Sequence, residues 1–224
     1  MHKSLFNYKE AIHPACGKEV KIHKDIIITP FYTEKFCDEL VKVAKFYDKK
    51  FSPYIVYQYD KVKSHKMTEN VPWDTLFFSR ISHLLFEHFC SHYKKYLCPV
   101  LEKHFFPETI SGWFSPFIIK YSHHNQYVSL HNDTSLITLN VKLNTDYQGS
   151  ILEFPRQNWT NERVPKGWCY FWPSRVTHPH RATPLTKGSK YTLASWTHPI
   201  SWEPHHMGGS IYRDVQKLGR STNV

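Results

Sequence analysis

The segment SLHNDTSLITLNVKLN, residues 129–144, combines the pattern of a β-strand with two potential metal ligands. Apolar and polar residues alternate over residues 138–143, which predicts a strand with one apolar and one polar face. The polar face, which includes Asn140, is expected to line water or a ligand. Just before this strand lie His131 and Asp133, whose imidazole and carboxylate suit a divalent metal such as Fe(II). Because the chain has 16 histidines, this pair is a weak signal without a third ligand.

A third ligand is available in WPSRVTHPHRATPLTKGSKYTLASW, residues 172–196. His178 and His180 both follow a predicted strand, and either would complete a set of two histidines and one carboxylate. Such a set leaves three metal positions for a chelating 2-oxo acid and dioxygen. Lys190 begins the next predicted strand, where its ammonium could bind the far carboxylate of that acid. Taken alone, Lys190 would be interpreted as a lysine that extends to solvent.

The composition indicates one soluble globular domain without a membrane-spanning segment. The chain has 224 residues, of which 41% are apolar, and no run reaches the roughly 18 apolar residues that a spanning helix needs. A net charge of +10 allows an acidic partner such as nucleic acid, but the charge is scattered, so a solvated basic surface is favoured. Five cysteines form no CxxC pair, which favours buried free thiols over a disulfide.

The chain divides into a helical part and a β-rich part. A strand is predicted at 25–30, followed by a helix over 33–47 that Thr33 caps. A long helix or a broken pair of helices is predicted from about Thr75 to Phe106, ending near Pro99. Five further strands, whose spacing is typical of a sandwich or barrel, are predicted at 115–121, 135–143, 150–154, 168–172 and 190–197.

These motifs resemble the Fe(II)- and 2-oxoglutarate-dependent dioxygenases, and more narrowly the catalytic domain of procollagen lysyl hydroxylases. The resemblance rests on the His-x-Asp pair, a distal histidine and a basic residue ten positions later. Further matches, in order along the chain, are TEKFCDELV (33–41), ENVP (69–72), DYQG (146–149), PKGW (165–168), PSRVTHPH (173–180) and LTKGSKY (185–191). The resemblance implies an α+β fold, with a double-stranded β-helix (jelly-roll) core flanked by N-terminal helices. The predicted domain spans 25–199, with helical support over about 33–106 and a β core over about 113–199, between extensions at 1–24 and 200–224.

The same resemblance assigns roles to individual residues. It implies that His131, Asp133 and His180 bind Fe(II), and that Lys190 binds the distal carboxylate of 2-oxoglutarate. Tyr121 and Asn140 also match family positions that lie near the co-substrate. His178, which also matches the family pattern, is expected either to support the metal ligands or to have a structural role. Dioxygen is the second co-substrate, and ascorbate is the implied reductant.

The resemblance also implies the substrate, peptidyl lysine in collagen-like sequences, and the lumen of the endoplasmic reticulum as the compartment. The start of the chain shows no signal-peptide pattern. Lysyl hydroxylases usually have Arg where this chain has Lys190, and Lys there is more typical of prolyl 4-hydroxylases. Peptidyl proline or a nucleic-acid base therefore stays open as the substrate of the same chemistry, as does a noncatalytic binding module. A homodimer is also left open.

Overall fold

The computed structural model describes residues 6–48, 52–53, 74–105, 113–122 and 127–198. The predicted C-terminal extension at 200–224 and the ENVP match lie outside these residues. The strands are β1 Lys21–His23, β2 Ile26–Pro30, β3 Ser52–Pro53, β4 Asp74–Phe77, β5 Trp113–Tyr121, β6 Val128–His131, β7 Ile137–Lys142, β8 Tyr147–Gly149, β9 Leu152–Phe154, β10 Trp159–Thr160, β11 Trp168–Pro173, β12 His180–Ala182, β13 Leu185–Gly188 and β14 Lys190–His198. The helices are α1 Glu34–Phe46, α2 Phe78–Ile81, α3 His83–His92 and α4 Cys98–His104.

Two antiparallel sheets form the β core. The large sheet has the strand order β1-β2-β11-β7-β14-β5-β4-β3, and the small sheet has the order β10-β9-β12-β6. A short pair, β13 and β8, lies beside them. The strand order is not the chain order, because from β5 onward the chain passes repeatedly between the two sheets, as it does in a jelly roll. The predicted α+β jelly-roll core flanked by helices is therefore confirmed.

The large sheet separates two hydrophobic clusters. One cluster packs the helices against one face of this sheet and includes Phe36 and Leu40 of α1 with Leu139 and Val141 of β7. The other cluster fills the space between the two sheets and includes Phe154 of the small sheet. Both faces of the large sheet are thus covered, one by helices and one by the small sheet.

The predicted helix α1 forms with its predicted cap. The hydroxyl oxygen of Thr33 accepts a hydrogen bond from the backbone N–H of Phe36, which satisfies one of the unpaired donors of the first turn. Phe36, Leu40 and Ala44 are spaced four residues apart and are buried. Because this apolar stripe faces the large sheet, α1 is held by packing as well as by its cap.

The prediction for residues 75–106 is wrong at both ends. Asp74–Phe77 form a strand rather than a helix, since they pair with β5 along the edge of the large sheet. The helical part continues beyond Pro99 to His104. Pro99 lies in the first turn of α4, where a missing backbone N–H breaks no helical hydrogen bond. A π-helical turn, Tyr93–Leu97, joins α3 to α4.

Two further predictions concern the state of the cysteines and the presence of a membrane-spanning helix. All five cysteines are free thiols, and four of them are buried, as predicted. Among the described residues, none of the helices is long and apolar enough to cross a membrane. Residues 21–23 of the predicted N-terminal extension form the edge strand β1, and Phe6, Ala11 and Cys16 are buried in the helical cluster.

Candidate metal centre and co-substrate pocket

The structure brings His131, Asp133 and His180 together between the two sheets. His131 ends β6 and His180 begins β12, and the two residues face each other across these paired strands. Asp133 lies in the turn that leads into β7. One ligand atom from each residue can be chosen so that all three lie within 4.8 Å of one another. Strand pairing in the small sheet therefore joins ligands that are 49 positions apart in sequence.

The side chains are oriented for a cation between them. Nε2 of His131 lies 3.5 Å from Oδ1 of Asp133, and Nε2 of His180 lies 3.7 Å from Oδ2 of the same carboxylate. Nδ1 of His131 donates a hydrogen bond to the carbonyl oxygen of Ser129, and Nδ1 of His180 donates one to that of His178. These bonds place the ring proton on Nδ1, which leaves the lone pair on the Nε2 that faces Asp133. Two imidazoles and one carboxylate form a donor set that suits Fe(II).

The environment favours the protonation states that bind a metal. Burial opposes charge on Asp133, yet the two histidines and the hydroxyl of Thr138 lower its pKa below the ordinary value. Burial lowers the pKa of His180. Burial opposes charge on His131, but the hydrogen bond and charge of Asp133 outweigh it and raise the pKa of His131. At neutral pH the centre therefore holds an anionic Asp133 and a neutral His180, which are the forms that a metal cation binds, and a bound cation would displace any proton from Nε2 of His131.

A pocket extends from these ligands along the inner face of the large sheet. Its polar lining consists of Tyr121, His131, Asp133, Thr138, Asn140 and His180. Apolar side chains, among them Leu152, Trp172, Ala194 and Trp196, supply the remaining lining. The polar face of β7 thus lines a small recess beside the candidate ligands, as the alternation in the sequence predicts. The carbonyl oxygen of the Asn140 side chain is buried, and it has no hydrogen-bond partner among the described residues.

Lys190 lies beside the pocket rather than in its lining. It pairs with Tyr121 across β14 and β5, and its Nζ is 5.0 Å from the centre of the Tyr121 ring. Nζ donates a hydrogen bond of 2.6 Å to the carbonyl oxygen of Ser150 and is 5.8 Å from the Tyr147 ring. Lys190 is 3% exposed, so it does not extend to solvent. An ammonium has three donors, and the bond to Ser150 leaves capacity for a carboxylate.

Burial changes the charge state of Lys190. Desolvation, with a smaller contribution from Lys142, lowers the pKa of Lys190 to about 7. No acidic side chain is hydrogen-bonded to this ammonium among the described residues. A buried cation without a fixed counter-ion is therefore available for an anionic ligand.

His178 does not join the metal ligands. Its Nε2 donates to the backbone carbonyl of Lys24, and its Nδ1 accepts from the hydroxyl of Thr177. Both ring nitrogens are used to tie the loop before β12 to the turn before β2. This is the structural role expected of it.

Several residues of the site were not predicted from the sequence. Thr138 donates a hydrogen bond of 2.6 Å to Oδ2 of Asp133, and its position on the polar face of β7 was the available signal. Tyr147 and Ser150 surround Lys190. Tyr147 lies within the DYQG match, which assigned it no role, and nothing local in the sequence marks Ser150. Phe154 and Trp172 pack on the His180 ring, with ring centres 5.2 Å and 5.0 Å away.

Comparison with known proteins gives relatives in sequence and in fold. No protein-family model matches the chain. The chain is 31% identical to human procollagen-lysine,2-oxoglutarate 5-dioxygenase 2 over 186 residues, which cover 78% of this chain and 24% of the relative. It is also 31% identical to the Gallus gallus procollagen-lysine,2-oxoglutarate 5-dioxygenase 1 over 205 residues, covering 86% of this chain and 26% of that one. The chain thus spans about a quarter of the length of the curated relatives it matches.

Solved structures confirm the fold. The viral collagen prolyl hydroxylase of Paramecium Bursaria Chlorella virus-1 aligns with a TM-score of 0.55 at 17% identity, covering 80% of this chain and 97% of that one. A Pseudomonas putida prolyl-4-hydroxylase aligns with a TM-score of 0.57 at 12% identity, with coverage of 79% and 93%. A Trichoplax adhaerens prolyl hydroxylase in complex with a peptide fragment aligns with a TM-score of 0.56 at 14% identity, with coverage of 73% and 80%. By sequence, this chain is similar to the procollagen-lysine 5-dioxygenases over about a quarter of their length, and its fold is similar to that of the three prolyl hydroxylases.

Proposed function

We propose that this domain binds Fe(II) through His131, Asp133 and His180, binds 2-oxoglutarate with Lys190, and hydroxylates peptidyl lysine in collagen-like sequences. Succinate and CO2 are the expected co-products. The observation that supports the proposal most directly is the convergence of two Nε2 atoms on one carboxylate, at 3.5 Å and 3.7 Å. When bound, the iron supplies the oxidising chemistry together with 2-oxoglutarate and dioxygen, as it does for this class of cofactor-dependent enzyme.

The chain's own residues position the reactants. The Ser129 and His178 carbonyls hold the two imidazole rings, and the Thr138 hydroxyl holds the Asp133 carboxylate. In this proposal Lys190 orients the co-substrate by binding its distal carboxylate, while Tyr121 and Asn140 lie near its path. The apolar lining, which includes Leu152 and Trp196, keeps bulk water from the reacting atoms.

Names of relatives support lysine as the target, whereas the solved structures with this fold are prolyl hydroxylases. Lys190 is the observation that favours the second target, because the resemblance to lysyl hydroxylases implies Arg at this position. Arg would present a planar fork to a carboxylate, and Lys presents a point charge. Peptidyl proline is therefore the second candidate substrate.

The test is succinate release from 2-oxoglutarate with Fe(II), ascorbate and air. Three peptides are compared: a Gly-X-Lys repeat, the same repeat with Ala in place of Lys, and a Gly-X-Pro repeat. Each product is checked by mass spectrometry for the gain of one oxygen atom, and His131→Ala is the matched variant. We expect succinate release and an oxygen gain only with the lysine peptide and only in the unaltered protein.

The other outcomes separate the alternatives. Oxygen gain on the proline peptide alone would replace lysine with proline as the target. Turnover that depends on His131 but on none of the peptides would keep the dioxygenase and reject both substrates. Metal binding without succinate release would reject the enzyme in favour of a binding module.

A further inference from the structure

A row of aromatic rings connects the candidate metal centre to the surface. The Trp172 ring lies 5.0 Å from the ring of the candidate ligand His180, centre to centre. The Tyr170 ring lies 5.9 Å from Trp172 and is nearly parallel to it, at 16°. The Trp159 ring lies 5.5 Å from Tyr170. Phe154 packs along this row, 4.9 Å from Trp172 and 5.4 Å from Trp159.

The row of rings runs from the buried core to the protein surface. Trp172 and Tyr170 are buried, whereas Trp159 at the far end is partly exposed. The pairing of β11 and β7 fixes Trp172 and Tyr170 on the inner face of the large sheet. Trp159 belongs to β10 at the edge of the small sheet, so the row also bridges the two sheets.

Packing alone does not account for these residue types. The indole N–H of Trp172 is buried without a hydrogen-bond partner among the described residues, which costs about 1–3 kcal/mol relative to a satisfied group. A phenylalanine would fill much of the same volume without that donor. Tyr170 needs the side-chain amide of Asn161, which donates a bond of 2.8 Å to its phenol oxygen. What indole and phenol offer beyond phenyl is easy one-electron oxidation.

We propose that Trp172, Tyr170 and Trp159 form an electron-transfer path that reduces the metal centre when dioxygen is activated without a substrate C–H bond in place. This inference rests on the proposed dioxygenase function. Iron held by His131, Asp133 and His180 would, with 2-oxoglutarate and dioxygen, supply a two-electron oxidant. The three rings would deliver those two electrons one at a time, and two protons from solvent would complete the reduction of one oxygen atom to water.

Electrons enter the path at Trp159, the ring at the protein surface, and pass inward to the metal centre. Each transfer removes one electron from this indole and releases its N–H proton to solvent, and a one-electron reductant such as ascorbate restores the ring. When ascorbate is too scarce to reduce the Trp159 radical at once, the radical combines with dioxygen to form a peroxyl radical, which takes one electron and one proton from the remaining ascorbate and persists as an oxygenated indole. The path thus directs oxidation away from His180 and Trp172, where damage would destroy the site.

The experiment maps oxidised residues after turnover without peptide. The full chain is incubated with Fe(II), 2-oxoglutarate and air at limiting ascorbate, and its proteolytic fragments are sequenced by mass spectrometry. We expect oxygen adducts mainly on Trp159. In Trp159→Phe they should move to Tyr170 and Trp172, and loss of metal-binding capacity should become several-fold faster. In Tyr170→Phe, oxidation of Trp159 should fall.

Trp168→Phe is the matched control, because Trp168 is also partly exposed and lies on β11 but has no ring contact with the path among the described ring pairs. It should leave the adduct pattern unchanged. Equal oxidation of Trp159 and Trp168, or no change in Trp159→Phe, would overturn the path.

A second arm separates this inference from the proposed function. Fe(II) with hydrogen peroxide, and no 2-oxoglutarate, forms an oxidant at a bound iron without requiring the dioxygenase reaction. Adducts on Trp159 that disappear in Asp133→Ala would support the path even if no succinate is formed. Adducts scattered over exposed residues in both proteins would reject it.

Discussion

The two faces of strand β7 are both buried, yet they serve different purposes. Leu139 and Val141 are fully buried against the helices, where they contact only the apolar cluster. Thr138 and Asn140, on the opposite face, are 3% and 8% exposed and line the pocket. A polar face on a buried strand therefore indicates a site rather than solvent. One face of the strand packs in the hydrophobic core, and the other lines the candidate site.

The largest expected effect comes from removing the shared carboxylate on the pocket side. Asp133→Ala takes away the group that both imidazoles face, and we expect no measurable succinate release. Removing a neighbour of a metal ligand typically lowers metal affinity or activity about 10–100-fold, and loss of the ligand itself should exceed that. The melting temperature in the absence of metal should not fall. A variant that unfolds instead would show that this face also stabilises the fold.

The opposite face should show the reverse pattern. Leu139→Ala leaves a cavity among packed side chains and should lower the free energy of unfolding by about 2–5 kcal/mol. Urea denaturation measures this change. The folded fraction should keep its Fe(II) affinity, because Leu139 has no contact with the metal ligands. A large loss of affinity at low urea would contradict the division of roles between the faces.

Substitutions of Lys190 test whether its buried ammonium binds 2-oxoglutarate. Lys190→Met removes a charge-assisted hydrogen bond, worth about 1.5–3 kcal/mol, so 2-oxoglutarate should bind roughly 10–100-fold more weakly. Lys190→Arg keeps the charge and should lose less. Calorimetric titration with Mn(II) in place of iron measures both. Unchanged affinity in Lys190→Met would remove Lys190 from the site.

The sequence indicated the three candidate ligands more clearly than the residues that contact them. His131, Asp133 and His180 were identifiable because the residues on either side match a known pattern in order. The strand at 74–77 was missed because its pairing with β5, across some 40 residues, overrides the local helical pattern. Ser150 and Tyr147 reach Lys190 only through the fold. Their contacts with Lys190 depend on the tertiary fold, so no periodic pattern in the sequence predicts them.

The last expected effect is a pH dependence of co-substrate binding, which should in total be no larger than the loss in Lys190→Met. With a pKa of about 7 in the free protein, below the ordinary value of 10.5, Lys190 is largely neutral at pH 9 while the unfolded chain is still protonated. The unfolded chain then binds more protons, so stability attributable to Lys190 should rise with pH between these values. A bound dianion favours the ammonium, so binding takes up a proton above pH 7.

Affinity for 2-oxoglutarate should therefore be constant below pH 7 and fall by up to about tenfold per pH unit above it. Lys190→Arg, which stays charged, should show a flat profile over the same range. Titrations between pH 6 and 9 measure the slopes. Equal slopes in the two proteins would mean that another group titrates.

The most direct test of the account is the number of Fe(II) ions bound per chain under anaerobic conditions with 2-oxoglutarate present. The unaltered protein, Asp133→Ala and Leu139→Ala are dialysed against Fe(II), and bound iron is measured by metal analysis. The account predicts a single ion per folded chain in the unaltered protein and in Leu139→Ala, and none in Asp133→Ala. Equal binding to all three, or no binding to the unaltered protein, would contradict an iron site on the polar face of β7.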